Sequence, residues 1–350
     1  MMSGLTLTNP YLTSDLSAPP PKSYRGRQWC VRGYQPSLQP ISPDSELGVL
    51  IGQMGWVGAH AHAHGYLWGS AGNMGALLSD TVDSDCLLTY NESPRYTLPP
   101  AITVKGLAGR HVLLTKSDAR LDMVALEHPT LNLTIVELED DGTHYRMRFG
   151  TPLMSELNTE PMKPPKPTSE MFHYMLIFDQ LEAHGFKTLV HLQPKFLNLI
   201  SRTEHGQPSR FYDFLKGYEP ETPIMYEDCG GIGFVQEKAP GVPELSYESL
   251  RLFKMEDLPS RQSNTMRHIL YWIGHGTFSR GVDLLDAYKH GEYFEAAARM
   301  AWEANQGKID AQPYGDEIVN CILREFHANQ QPSEPLPLGE EGEENVYNYP

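Results

Sequence analysis

Apolar residues along this chain recur in two rhythms, and the switches between them mark its elements. At Ser42-Pro43-Asp44-Ser45-Glu46 a capping hydroxyl, an early proline and acidic residues suited to the helix dipole open a helix. It should run for about five turns and end near Gly65. Residues 66–127 are mixed, with a strand-like piece at 112–115. The clearest hairpin lies at 131–138 and 145–149, where β-branched and apolar runs flank Asp140-Asp141-Gly142. A proline-stiffened approach over 163–168 leads into a helix over 170–184 that stops at Gly185. A strand over 187–193 follows and Pro194 ends it. Residues 269–274 form a short apolar strand running into His275-Gly276, and Asp283 opens a long helix reaching Asn305.

This order of elements predicts an α/β layered domain with the site on its loops. Residues 1–41, rich in Pro, Ser, Thr and Tyr, read as an extended arm in which Trp29, Cys30 and Tyr34 anchor onto the domain or a neighbour. Residues 42–330 form the domain, and 331–350, with Glu340, Glu341, Glu343 and Glu344, read as a disordered acidic tail.

With 350 residues and 40% hydrophobic composition, the chain can build a core with a substantial pocket. No run of about 18 or more apolar residues is present, and the N-terminus has no leader pattern, so no membrane span or export is expected. Cys30, Cys86, Cys229 and Cys321 lie far apart without a C-x-x-C pair, which fits a reducing, cytoplasmic setting. The formal net charge of −16 disfavours nucleic acid and anionic membranes, so the expected partner is a small molecule.

Three segments carry candidate chemistry. Glu170 stands at a helix start behind a rigid loop, where backbone geometry fixes its carboxylate for acid/base work. His191 and Gln193 alternate with Leu192 at a strand end, so the two should share one face and one ion. His275, between Gly274 and Gly276, can point across the gap as a further ligand. Read alone, Glu170 could equally serve the helix dipole, His191 could be a core histidine and Gln193 could bond backbone. His60, His62 and His64 lie in the first helix with no acidic or cysteine ligand nearby, and structural or surface roles are expected for them.

Together, Pro167-Thr168-Ser169-Glu170, a helix containing His173, His191-x-Gln193-Pro194 and the later His275-Gly276 resemble the class II aldolase/adducin family. Residues 107–117, with Gly231, Gly233 and Pro240-Gly241, are most similar to its rhamnulose-1-phosphate aldolase branch. The resemblance covers roughly 45–305. It implies a three-layer α/β/α domain around a mostly antiparallel sheet, in a cytoplasmic homotetramer. It also implies zinc or another divalent transition metal, and retro-aldol cleavage of a ketose phosphate or related sugar through a metal-stabilised enediolate. Glu170 would take the acid/base role, and His191 and His275 would be two ligands. Gln193 replaces a third histidine of the family pattern, offering an amide oxygen that is a weaker zinc ligand. Gly72 and Asn73 match a glycine-asparagine loop that cradles phosphate, and Ser117 matches a Ser-Gly turn in which Asp118 stands for the glycine. Glu221 aligns with a second functional carboxylate. A dehydratase or epimerase of the same family is an alternative, as is a catalytically silent adducin-like assembly protein; Gln193 and Asp118 favour the last.

Overall fold

A computed structural model describes residues 41–79, 88, 91–124, 129–150, 164–236, 242–257, 266–307 and 312–330. The arm up to residue 40, the acidic tail, Cys86 and Pro240-Gly241 lie outside the described residues. The strands are β1 (Asn73–Leu77), β2 (Asn91–Glu92), β3 (Tyr96–Thr97), β4 (His111–Thr115), β5 (Leu133–Leu138), β6 (His144–Phe149), β7 (Thr188–Leu192), β8 (Ile232–Val235), β9 (Ile269–Trp272) and β10 (Gly276–Gly281). They form one sheet in the order β2-β6-β5-β4-β1-β7-β10-β9-β8, with β3 also on β6. Every pairing is antiparallel except β8 with β9.

The helices are α1 (Glu46–Ala63), α2 (Pro129–Asn132), α3 (Met171–Leu181), α4 (Lys195–Ser201), α5 (Pro208–Leu215), α6 (Glu221–Asp228), α7 (Pro243–Phe253), α8 (Leu284–Asn305) and α9 (Asp316–Gln330). Period-2 alternation sends successive strand residues to opposite layers. Val112, Leu114, Leu189, Leu270, Trp272 and Phe278 face α3 and α7, whereas Met74, Ala76, Leu113, Val190 and Leu192 face α1 and α8. Ile269 and Tyr271 complete the second face against α4, α5 and α8. The result is the three-layer α/β/α arrangement with a mostly antiparallel sheet. Full burial of a ring such as Phe278 contributes roughly 1.5–3 kcal/mol, so the layers hold the central strands firmly.

Boundaries moved where local hydrogen bonds overrode the sequence pattern. α1 is capped by Ser45, whose Oγ accepts from Gly48 N, because residues 42–45 close a turn through Ser45 N and the Ser42 carbonyl. α3 begins one residue after Glu170, which occupies the N-cap position. β7 ends at Leu192, so Gln193 lies just beyond the strand, its N–H donating to the Tyr66 carbonyl. Asn73, expected in a loop, opens β1 opposite His191.

At the end of β10 away from His275, a buried polar chain joins Cys229 Sγ to His290 Nδ1 at 3.2 Å, and His290 Nε2 to His268 Nδ1 at 3.2 Å. Burial first, and then the neighbouring His268, lowers the His290 pKa to about 3, with Asp286 opposing and Lys289 and Arg280 assisting. In the unfolded chain this imidazole titrates near 6.5. Between pH 6.5 and 3 the unfolded state therefore binds the extra proton, and stability falls as pH falls through that window. Urea unfolding at stepped pH should show stability falling as pH drops through this window, and His290→Gln should make the fall shallower.

Candidate active site

The central strands converge on a cleft because β1 and β7 run antiparallel, which sets the start of one beside the end of the other. A cavity of about 230 Å³ opens there, lined by residues from the β1 approach, the β4 exit, the 168–170 turn, the β7 end and the β9–β10 turn. Of the candidate residues, Gly72, Asn73, Ser117, Glu170, His191, Gln193 and His275 all reach it. Glu221 does not: it sits exposed at the start of α6, its N–H donating to the Glu219 carboxylate at 3.0 Å.

The proline-rich approach reaches the cleft by pairing with the end of β4. Ser117 N–H donates to the Lys166 carbonyl at 2.8 Å and Thr168 N–H to the Thr115 carbonyl at 3.2 Å. This fixes Glu170, whose Oε2 accepts from Asn73 Nδ2 at 2.7 Å and Thr168 Oγ1 at 2.8 Å. Burial alone raises the Glu170 pKa, yet His191, the Thr168 and Ser169 hydroxyls and His275 bring it below the ordinary carboxyl value. Since His191 is itself neutral near pH 7, we assign the ionised carboxylate chiefly to the donated hydrogen bonds.

His191 is buried, and its Nδ1 lies 2.9 Å from the Thr277 carbonyl. A carbonyl only accepts, so Nδ1 carries the hydrogen and Nε2 keeps its lone pair. Burial, then His275, hold the His191 pKa at about 4 against the opposing influence of Glu170 and the Thr277 bond. Nε2 has no hydrogen-bond partner, an orphaned buried acceptor. The His275 ring stands 4.9 Å away, centroid to centroid and nearly perpendicular. Gly276 permits this: a Cβ there would lie 2.1 Å from the Leu192 carbonyl oxygen and 3.1 Å from the His191 ring. Gly72, at φ +78°, is likewise pressed on the His191 carbonyl, where a side chain has no room.

A neutral imidazole with an oriented, unpartnered nitrogen is the donor a divalent transition metal uses, and the carbonyl behind Nδ1 is the outer partner such ligands commonly have. His191 offers such a donor, and His275 and Gln193, in the same cleft, are the residues that could join it around a metal ion, the amide as the weak third donor. Among the described residues, the one group of three His, Cys, Asp or Glu side chains close enough to chelate lies elsewhere, at Glu139, Asp141 and His144. Its oxygens are already taken by Arg95, Arg146 and the Thr143 and His144 amides, so it reads as a braced hairpin turn. His60 also settles structurally, bonding Tyr288 Oη at 2.8 Å and stacking on Trp56.

Two features escaped the sequence reading. Asn73, expected to cradle phosphate, is buried with both ends of its amide engaged: Nδ2 on Glu170, and Oδ1 accepting from Tyr174 Oη at 2.7 Å. Tyr174 lies one helical turn beyond Glu170, and that spacing was the available clue. Tyr174→Phe leaves Asn73 Oδ1 without this buried partner, a cost of about 1–3 kcal/mol. If the amide then turns from Glu170, turnover that uses this carboxylate should drop about tenfold in kcat at unchanged KM by steady-state kinetics. The second feature is His173, buried with neither ring nitrogen bonded and packed edge-on against Trp272 and Phe278.

Residues 54–302 match the family described as Class II Aldolase and Adducin N-terminal domain. Among curated proteins, the rhamnulose-1-phosphate aldolase of Escherichia coli O81 (strain ED1a) is 24% identical over 232 residues, covering 66% of this chain and 76% of that protein. The Salmonella paratyphi B rhamnulose-1-phosphate aldolase is 23% identical over 220 residues, covering 63% and 72%. A sugar-phosphate aldolase from Thermotoga maritima shares the fold at a TM-score of 0.59 and 20% identity, over 77% of this chain and 100% of that one. The matched span contains every strand from β1 to β10 and all the residues that line the cleft. This chain belongs to the class II aldolase/adducin family.

Proposed function

We propose that this protein is a metal-dependent lyase that cleaves a ketose or ketose phosphate by a retro-aldol reaction. The observation that carries the reading is Glu170, a buried carboxylate held by Asn73 and Thr168 in the same cleft as the unpartnered Nε2 of His191. Members of this family typically depend on a divalent metal, and here His191 and His275, with Gln193 as weak third donor, are the residues that would hold it. A bound divalent ion would supply Lewis-acid polarisation of the substrate's vicinal oxygens.

The chain's own groups do the rest. In cleavage the ionised Glu170 can take the hydroxyl proton of the carbon that becomes the aldehyde as the carbon–carbon bond breaks, and it then gives that proton to the donor carbon next to the carbonyl; addition runs the same two transfers in reverse. Tyr174 and Asn73 keep its reactive oxygen aimed. Gln193 and Ser117 line the same cleft and can orient substrate hydroxyls. The family resemblance further implies a homotetramer.

The test is aldehyde release from a panel of ketoses and ketose phosphates, compared between the wild-type protein and Glu170 variants. A second reading, an adducin-like assembly protein without turnover, is favoured by one observation: Gln193 lines the cleft where an imidazole would complete the ligand set. That reading expects Glu170 variants to leave function untouched.

A further inference from the structure

The turn that leaves β4 forms one side of the cleft, and its backbone is poorly suited to a dianion. Lys116 N–H donates to the Asn132 carbonyl, Ser117 N–H to the Lys166 carbonyl and Ala119 N–H to the Lys116 carbonyl. Three of the four amides at 116–119 are therefore spent on the protein, whereas a phosphate nest needs successive free N–H groups. The Asn73 side chain is committed to Glu170 and Tyr174. Among the described residues the one cation lining the cleft, Lys116, donates to the Thr130 carbonyl at 2.5 Å, and burial lowers its pKa to about 8.

Against this stand two carboxylates, Glu170 and Asp118. Asp118 is exposed at φ +62°, a backbone conformation that glycine adopts more readily, and it places an acidic side chain at the cleft. Among the described residues the cations nearest to it in sequence are engaged elsewhere, Arg120 on Asp122 and Lys116 on the Thr130 carbonyl. Its oxygens thus keep acceptor positions for two hydroxyls, and its charge repels a phosphate.

We propose that Asp118 makes this side of the cleft selective for the hydroxyls of an uncharged ketose and against a phosphate, so the donor fragment is an unphosphorylated dihydroxyacetone-type unit. The inference rests on the aldolase reading above for its chemistry, but its binding test does not.

The kinetic test is aldol addition to glycolaldehyde with either dihydroxyacetone or dihydroxyacetone phosphate as donor. The wild-type protein should favour dihydroxyacetone in kcat/KM by at least about tenfold; Asp118→Gly should move the ratio toward the phosphate by about tenfold or more, and Asp118→Asn by less. A wild-type preference for the phosphorylated donor, or a ratio that neither variant moves, overturns the proposal. Absence of turnover with both donors counts against the aldolase reading instead, and titration calorimetry with inorganic phosphate then decides the role of Asp118. Asp118→Gly should bind phosphate at least about tenfold more tightly than wild type, and equal affinities overturn the proposal.

Discussion

Replacing Glu170 by Gln is expected to lower kcat by about 10²- to 10⁴-fold while leaving the fold and substrate binding nearly intact. The glutamine keeps the shape of the side chain and an oxygen that can accept from Asn73 Nδ2 and Thr168 Oγ1, so neither donor need be orphaned. What it removes is the negative charge and the capacity to carry a proton. Glu170→Ala makes the same chemical deletion but also leaves two buried donors without their acceptor, at about 1–3 kcal/mol each. A lower melting temperature should accompany its lost activity. The pair of variants therefore separates chemistry from support. Retention of full kcat by Glu170→Gln, in an assay where the wild type turns over, would sink the acid/base role. Loss of stability in both variants to the same degree would mean that the charge itself braces the turn.

β4, β5, β6, β7 and β9 were legible as apolar or β-branched runs bounded by turn residues, whereas β1 and β10, which flank β7, were not, because their glycines and small residues read as loop. β5 and β6 flank the Asp140–Gly142 turn as their composition requires, and Asp283 caps α8 through a bond from Asp286 N. The short edge strands β2 and β3, two residues each, carry too little pattern to be seen. Individual ligand candidates were legible because the His191, Gln193 and His275 segments end or follow strands at glycine or proline. Hydrogen-bond partnerships were not. Asn73 and Glu170 are 97 positions apart in sequence, and only the antiparallel pairing of β1 with β7 and of the 166–168 segment with β4 brings them together. Glu221, aligned by position in the chain, stands on an exposed helix start outside the cleft-lining residues of this chain, a placement that sequence position alone could not give.

Protein purified without added metal or chelator should carry close to one divalent transition metal ion per chain by elemental analysis, and His275→Ala should lose it. Loss of an outer partner of a metal ligand typically costs about 10- to 100-fold in affinity, so loss of the His275 imidazole itself should exceed about 100-fold in chelator competition. His191→Ala should do the same, because the Thr277 carbonyl that orients its Nε2 would then orient nothing. Gln193→His exchanges an amide oxygen for an imidazole nitrogen, the better zinc donor, and should tighten binding if residue 193 reaches the ion. An unchanged affinity places Gln193 on substrate instead. Protein that takes up no metal even when zinc is supplied, and whose His275→Ala variant behaves as wild type, would show that a cleft of this shape has survived without its ion. The ionised Glu170 would then have nothing to make the donor carbon acidic, and the assembly reading would replace the lyase.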